Sequence, residues 1–251
     1  FSTMMRLSFV FVLLISVVGT LSLQAQTARR VKFPSKDGVT ITADMYEANP
    51  DYPWIVLFHK AQSSRGEFQR IAIKLNKLEL NCMAVDLRSG KEANFIVNET
   101  YVLAKNTELG TEYLDAEIDM RAAIQKAYII ARKPVIIFGS SYSASLAIKL
   151  GAEMSQVKAV VAFSPGEYFG KKLDVAKAAR GLTKPTFIAC GSDEKGYTDP
   201  IANAIRSKKK IYFAPPKGGA HGAACLDKGT DGETEYWIQM INFIQSVKKE
   251  Y

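Results

Sequence analysis

The stretch Pro134-Val-Ile-Ile-Phe138, Gly139-Ser-Ser-Tyr-Ser143, Ala144-Ser-Leu-Ala-Ile-Lys-Leu150 decides how this chain is read. An unbroken apolar run of five residues reads as a strand buried on both faces. It runs straight into Gly-x-Ser-x-Ser and then into an apolar helix. That layout is a nucleophile elbow: a tight strand-to-helix turn that lifts the Ser141 hydroxyl above a parallel sheet.

Working outward, the chain alternates strands and helices. A strand pair is predicted over 30–33 and 39–45, joined by Pro34-Ser-Lys-Asp-Gly38, whose Asp-Gly is a hairpin signal. Trp54-Ile-Val-Leu-Phe58 reads as a central strand, 68–78 as a helix with Phe68, Ile71, Leu75 and Leu78 on one face, and 81–87 as a strand. A long amphipathic helix is expected over 112–131, with Ile118, Ala122, Ile129 and Ile130 toward the sheet. Strand 134–138, helix 142–152, strands 157–163 and 186–189, helix 199–207, strand 210–213 and helix 233–248 complete the series. Such alternation predicts an α/β domain with a mostly parallel sheet covered on both faces. Only a short insert separates strand 163 from strand 186, so no large cap domain is expected. Residues 88–111 form a long connection at a carboxyl strand end, where ligands bind in such sheets. It contains the glycosylation acceptor pattern Asn98-Glu-Thr100.

At 251 residues and 47% hydrophobic, the chain can bury one sizeable core. The first segment stands outside that domain. Met4-Met-Arg6, the apolar run Leu7 to Leu23 and the small Ala25 have the grammar of a signal peptide over residues 1–25, leaving a domain over 26–251. Phe1-Ser-Thr3 fits no region of that leader. The run also approaches the length of a membrane span, which is the alternative to cleavage. After cleavage no stable membrane insertion is expected, and the product would be secreted or periplasmic. The net charge of +8 loses only Arg6 with the leader, leaving +7. Basic residues are interspersed with acidic ones, apart from Lys171-Lys172 and Lys208-Lys-Lys210, so a solvated surface is favoured over a nucleic-acid patch. The two histidines lack clustered acidic or cysteine partners, so no metal and no cofactor is expected. Of the three cysteines, Cys82 reads as a buried thiol. Cys190 and Cys225 could form a disulfide or pack as separate thiols.

A serine hydroxyl is a weak nucleophile at neutral pH and needs a base. His221 lies in Gly218-Gly-Ala-His-Gly222, after the last strand, in a loop able to aim its ring at the elbow. Asp193, directly beyond strand 186–189 through Gly191-Ser192, is the expected acid, preferred to Asp199. The order Ser, Asp, His differs from the trypsin-like and subtilisin-like orders. An oxyanion hole needs two backbone N–H groups. Those of Tyr142 and Ala61 are the candidates, Ala61 lying in the loop His59-Lys-Ala-Gln-Ser-Ser-Arg65. His59 is expected to bond loop backbone rather than act as base.

Leu57-Phe-His-Lys-Ala-Gln-Ser-Ser-Arg-Gly-Glu67, Val85-Asp-Leu-Arg-Ser-Gly90, Phe138-Gly-Ser-Ser-Tyr-Ser143 and Ala220-His-Gly222 together resemble the α/β-hydrolase superfamily. The similarity is greatest to its capless dienelactone-hydrolase-like and esterase-like members, and it spans about 31 to 248. It implies an eight-stranded, mostly parallel sheet and hydrolysis through an acyl-enzyme. Ser141, Asp193 and His221 would be nucleophile, acid and base, with Ala61 and Tyr142 donating to the oxyanion. The chain departs from the pattern at Lys60, where the family has glycine, at Ser143, the second elbow glycine, and in using serine rather than the cysteine of true dienelactone hydrolases. The reading is therefore an exported serine hydrolase acting on small-molecule carboxylic esters of modest size, with Lys60, Phe169 and Tyr197 as candidate substrate contacts. The alternatives are a peptidase or amidase using the same triad, and a binding protein that keeps the fold without the chemistry.

Overall fold

The computed structural model describes residues 28–251. The expected leader therefore lies outside the described residues. Ten strands form: β1 (Arg29–Pro34), β2 (Thr40–Tyr46), β3 (Trp54–Phe58), β4 (Asn81–Val85), β5 (Glu92–Ala93), β6 (Ile96–Val97), β7 (Val135–Ser140), β8 (Val157–Phe163), β9 (Thr186–Ala189) and β10 (Lys210–Phe213). Eight of them make one sheet in the order β1-β2-β4-β3-β7-β8-β9-β10, while β5 and β6 pair as a separate short hairpin. Only β2 runs against its neighbours, since it is antiparallel to both β1 and β4 and the other pairs are parallel.

The central strands β3, β4 and β7 are buried at every position. This is what continuous apolar runs require when helices cover both faces. One face packs α3 (Ala116–Ala131), α4 (Tyr142–Glu153), α5 (Val175–Ala179) and α6 (Lys195–Ala204) around Val56, Ile137, Met120 and Ile148. The other packs α1 (Gln69–Lys77) and α7 (Glu233–Lys248) around Leu57, Phe138, Phe163 and Met240.

Of the α3 residues expected toward the sheet, Ala122 and Ile130 are partly buried against the core and Ile118 is half-buried, but the helix is rotated so that Ile129 turns outward. The helix buries Ala116, Asp119, Met120, Ala123, Ile124 and Ala127, whereas Ile129 is 60% exposed. Small alanines let the helix approach the sheet closely, and Asp119 must face inward to pair with Arg88, whose Nη2 lies 2.7 Å from its Oδ1. With Asp119 on the inward face, the buried carboxylate is compensated by Arg88 rather than left unpaired. Helix α6 also begins earlier than expected, at Lys195, and carries Pro200 within it.

The connection 86–111 is ordered by the hairpin β5–β6, by α2 (Glu99–Asn106) and by one buried arginine. Arg65 has 2% of its side chain exposed. Its Nη1 lies 2.5 Å from Asp86 Oδ2, its Nε 3.1 Å from Asp44 Oδ2 and its Nη2 3.2 Å from Glu99 Oε1. Asn98 is fully buried, and its Nδ2 donates to Leu87 O at 2.8 Å. An acceptor asparagine so enclosed is no glycosylation site in the folded protein. No helix among the described residues is long and apolar enough to cross a membrane.

Candidate active site

The site grows from the turn between β7 and α4. Ser141 sits at φ 64°, ψ −126°, a region that non-glycine residues avoid. The turn is closed by the Ser141 N–H, which donates to Phe163 O on β8 at 2.8 Å. A Cβ at Gly139 would come within 2.4 Å of Ser143 O and 2.5 Å of the Ala144 backbone, so only glycine fits there. Ser143, in place of the second glycine, is built into the elbow. Its Oγ accepts from Ser140 N–H at 2.9 Å and is 2.8 Å from Phe58 O, to which it can donate.

Ser141 Oγ lies 2.7 Å from His221 Nε2, and His221 Nδ1 lies 2.5 Å from Glu194 Oε1. A carboxylate can only accept, so Nδ1 carries the proton and Nε2 is left free to take one from Ser141. Ser141 and His221 are thus brought together. Asp193 is not: it is exposed at the middle of a 3-10 turn (Ser192–Glu194) that points the third residue back under His221. Asp199 is also elsewhere, accepting from Tyr212 Oη at 2.6 Å and pairing with Lys195. The acidic partner of His221 is Glu194, one residue beyond the expected position. The adjacent Asp193-Glu194 carried the signal: three residues past Gly191 is where one turn of 3-10 helix returns a side chain to the strand end. The extra methylene of glutamate then spans the gap.

Glu194 is held in its charged form. Burial alone would raise its pKa, but hydrogen bonds from His221, Ser164, Tyr197 and the Gly191 N–H outweigh this and bring it down to about 2. Ser164 Oγ donates to Glu194 Oε2 at 2.5 Å and accepts from Gly222 N–H at 2.8 Å, tying the acid to the loop that carries His221.

The loop after β3 takes its shape from His59. This ring is fully buried, and burial lowers its pKa, so it is neutral. Its Nδ1–H donates to Lys60 O at 2.7 Å, and its Nε2 accepts from Leu87 N–H at 2.9 Å. The Lys60 carbonyl and the Ala61 N–H belong to one trans peptide and point in opposite directions. By holding the carbonyl, His59 therefore sets the direction of the Ala61 amide. Lys60 does not need the backbone freedom of glycine; in this loop it is Gln62 that has positive φ, at 58°. The Lys60 N–H is taken by Glu67 Oε2 at 2.9 Å. The Tyr142 N–H opens α4 and so has no helical carbonyl to bond.

Of the expected substrate contacts, Lys60 is partly buried and lies within electrostatic reach of Asp227. Phe169 is nearly buried, yet it lines a small open cavity of about 100 Å³ together with Tyr113, Leu114 and Tyr168. Tyr197 is 42% exposed and bonds Glu194 rather than that cavity. Sequence reading missed Tyr168, whose hydroxyl donates to Ser164 O at 2.8 Å and lies against Ser141. A larger groove of about 700 Å³, lined by Arg70, Lys74, Asp227 and Trp237, shares no residue with the triad. Cys190 and Cys225 are separate thiols. Cys225 Sγ contacts Ala220 O at 2.9 Å, and Cys190 Sγ faces Tyr212 Oη at 3.5 Å. Among the described residues, no group of three or more His, Cys, Asp or Glu side chains could hold a metal ion.

No protein-family model matches the chain, and no curated protein matches it in sequence. Solved structures do. An esterase of Pyrococcus furiosus is 16% identical, with 87% of this chain and 92% of that one covered at a TM-score of 0.68. A dienelactone hydrolase from Anabaena variabilis is 15% identical, covering 88% and 98% at 0.68. The chain has the α/β-hydrolase fold. A thermostable carboxyl esterase from Bacillus coagulans, 10% identical, extends the likeness over 88% of this chain and 99% of that one at 0.66. Within the α/β-hydrolase fold, Ser141, Glu194 and His221 follow the carboxyl ends of β7, β9 and β10, the end at which such sheets bind ligands.

Proposed function

We propose that this chain is an exported serine hydrolase cleaving small carboxylic esters through an acyl-enzyme. The observation that carries the reading is the unbroken relay Glu194–His221–Ser141, on a serine held at positive φ. Ser141 Oγ attacks the acyl carbon as its proton passes to His221 Nε2. The Ala61 and Tyr142 amides donate to the developing oxyanion, and Glu194 stabilises the imidazolium. Collapse of the tetrahedral intermediate expels the alcohol oxygen, which takes the proton from Nε2. Water then gives a proton to Nε2 and attacks the acyl carbon, and Ser141 leaves with that proton. The cavity beside Tyr168, with Phe169 in its wall, suits an acyl group of a few heavy atoms. Tyr197 bonds Glu194, and Lys60 lies in the loop that carries the Ala61 amide, where its charge could meet the substrate. Export rests on the leader grammar of residues 1–25, and secretion or a periplasmic location follows from it.

The test is hydrolysis of a p-nitrophenyl ester series from acetate to decanoate by the protein and by Ser141→Ala, with fluorophosphonate labelling of both. Turnover and labelling that vanish in the variant support the reading. Activity that survives in Ser141→Ala overturns it, and a protein neither labelled nor active is a binding module on this fold. The mass of the exported product, beginning at Gln26, tests the leader.

A further inference from the structure

Glu67 belongs to no step of the reaction just described, yet it bridges three parts of the site. It lies in the 3-10 turn Arg65–Phe68, after the loop that carries the Ala61 amide. Its Oε2 accepts from Lys60 N–H at 2.9 Å, and its Oε1 accepts from Ser140 Oγ at 2.8 Å. Ser140 is the residue before the nucleophile. Its Oγ in turn accepts from Ala223 N–H at 2.9 Å, two residues past His221. We propose that Glu67 is a positioning residue: one carboxylate that registers the oxyanion loop and the histidine loop against the nucleophile elbow.

The geometry favours this over an incidental surface bond for two reasons. First, the two peptides flanking Lys60 are held from opposite sides, its carbonyl by His59 and its N–H by Glu67. The Ala61 amide that follows cannot rotate without breaking one of these bonds. Second, both residues after His221 are anchored in the same manner. Gly222 N–H bonds Ser164, which donates to Glu194, and Ala223 N–H bonds Ser140, which donates to Glu67. Glu194 also touches the imidazole, whereas Glu67 touches no reacting atom. The contact is tight. A Cβ at Gly222, where φ is +65°, would come within 2.4 Å of Ser140 Oγ. The histidine loop therefore rests directly on the hydroxyl that Glu67 holds.

A carboxylate is suited to this place because both donors, an amide N–H and a hydroxyl, must be accepted at once. Glutamine keeps one acceptor and turns an NH2 toward the other partner. Ser140 can rotate to receive it, so glutamine preserves part of the bridge, and alanine preserves none. Displacing an oxyanion amide by a fraction of an ångström weakens transition-state binding while leaving ground-state binding largely intact, so the loss falls on kcat.

The inference rests on the hydrolase reading, and its test separates the two. Glu67→Ala and Glu67→Gln are compared with the unaltered protein for kcat and KM on p-nitrophenyl acetate, for melting temperature, and for amide hydrogen exchange at Lys60 and Ala223. The expected result is a kcat lowered about 10- to 100-fold in Glu67→Ala with KM within about threefold, and an intermediate value in Glu67→Gln. Both amides should exchange faster. A folded Glu67→Ala with unchanged kcat overturns the proposal, as does a loss shared equally by KM and unrelieved by glutamine. If Glu67→Ala does not fold, Glu67→Gln is judged alone by the same split between kcat and KM. Absence of turnover by the unaltered protein sinks the hydrolase reading but not the bridge. Faster exchange at Lys60 and Ala223 would then uphold the bridge, and unchanged exchange would overturn it.

Discussion

Glu194 Oε1 lies 2.5 Å from His221 Nδ1, while its neighbour Asp193 is turned to solvent. Two adjacent carboxylates with such different surroundings make a sharp comparison. Glu194→Gln should lower kcat by about 10²- to 10⁴-fold, because the amide cannot fix the Nδ1–H tautomer or stabilise the imidazolium. Asp193→Asn should leave kcat within about twofold. Steady-state kinetics on one ester decide between them, and the reverse pattern would return the acid role to Asp193.

The depressed pKa of Glu194 has a consequence for stability. Its folded value, about 2, lies below the ordinary 4.5, so the folded state binds the proton less readily than the unfolded chain. This contribution is fully present above about pH 4.5 and is lost as pH falls toward 2. Urea midpoints measured from pH 5 to pH 2.5 should therefore fall less steeply in Glu194→Gln than in the unaltered protein. Parallel curves would show that the carboxylate is not held in its charged form by folding.

Ser143 is bonded on both sides of the elbow. Ser143→Ala leaves the buried Ser140 N–H and Phe58 carbonyl without that partner, and should cost about 1–3 kcal/mol in urea unfolding. A neutral result would mean that small size alone is required at this position.

The three cysteines are buried thiols, and burial pushes Cys225 up to about 11. With Ellman's reagent at pH 8 the native protein should react slowly, and the unfolded, unreduced protein should release three equivalents. One equivalent would signal a Cys190–Cys225 disulfide.

The sheet was largely legible from sequence because its inner strands are short apolar runs bounded by loops. Trp54–Phe58, Val157–Phe163, Thr186–Ala189 and Lys210–Phe213 have the expected limits. Ser141 and His221 were legible because a strained turn and a glycine-rich loop leave marks in composition. What was hidden depends on contacts between distant segments. The inward place of Asp119 on α3, where it pairs with Arg88, is invisible to a periodicity that weighs only apolar residues. Helix α6 was expected over 199–207, but it runs over Lys195–Ala204, because the turn after Gly191 leads straight into it. The same turn moved the acid by one residue. Glu67 had no sequence signal of its own, since an acidic residue in a loop looks like solvated surface until its partners are known.

Arg65 draws together carboxylates from β2 and from the two ends of the segment 86–99, Asp44, Asp86 and Glu99. Arg65 is almost wholly shielded from water, so pulling these partners away together would leave a buried charge uncompensated, which is very unfavourable. The segment 86–99 is thus fastened to β2 and to the end of β4 and should open only when those strands separate. Binding sites commonly sit in the least cooperative parts of a protein. Here the segment beside the loop that carries His59 shares the cooperativity of the sheet itself, so its shape is settled when the chain folds.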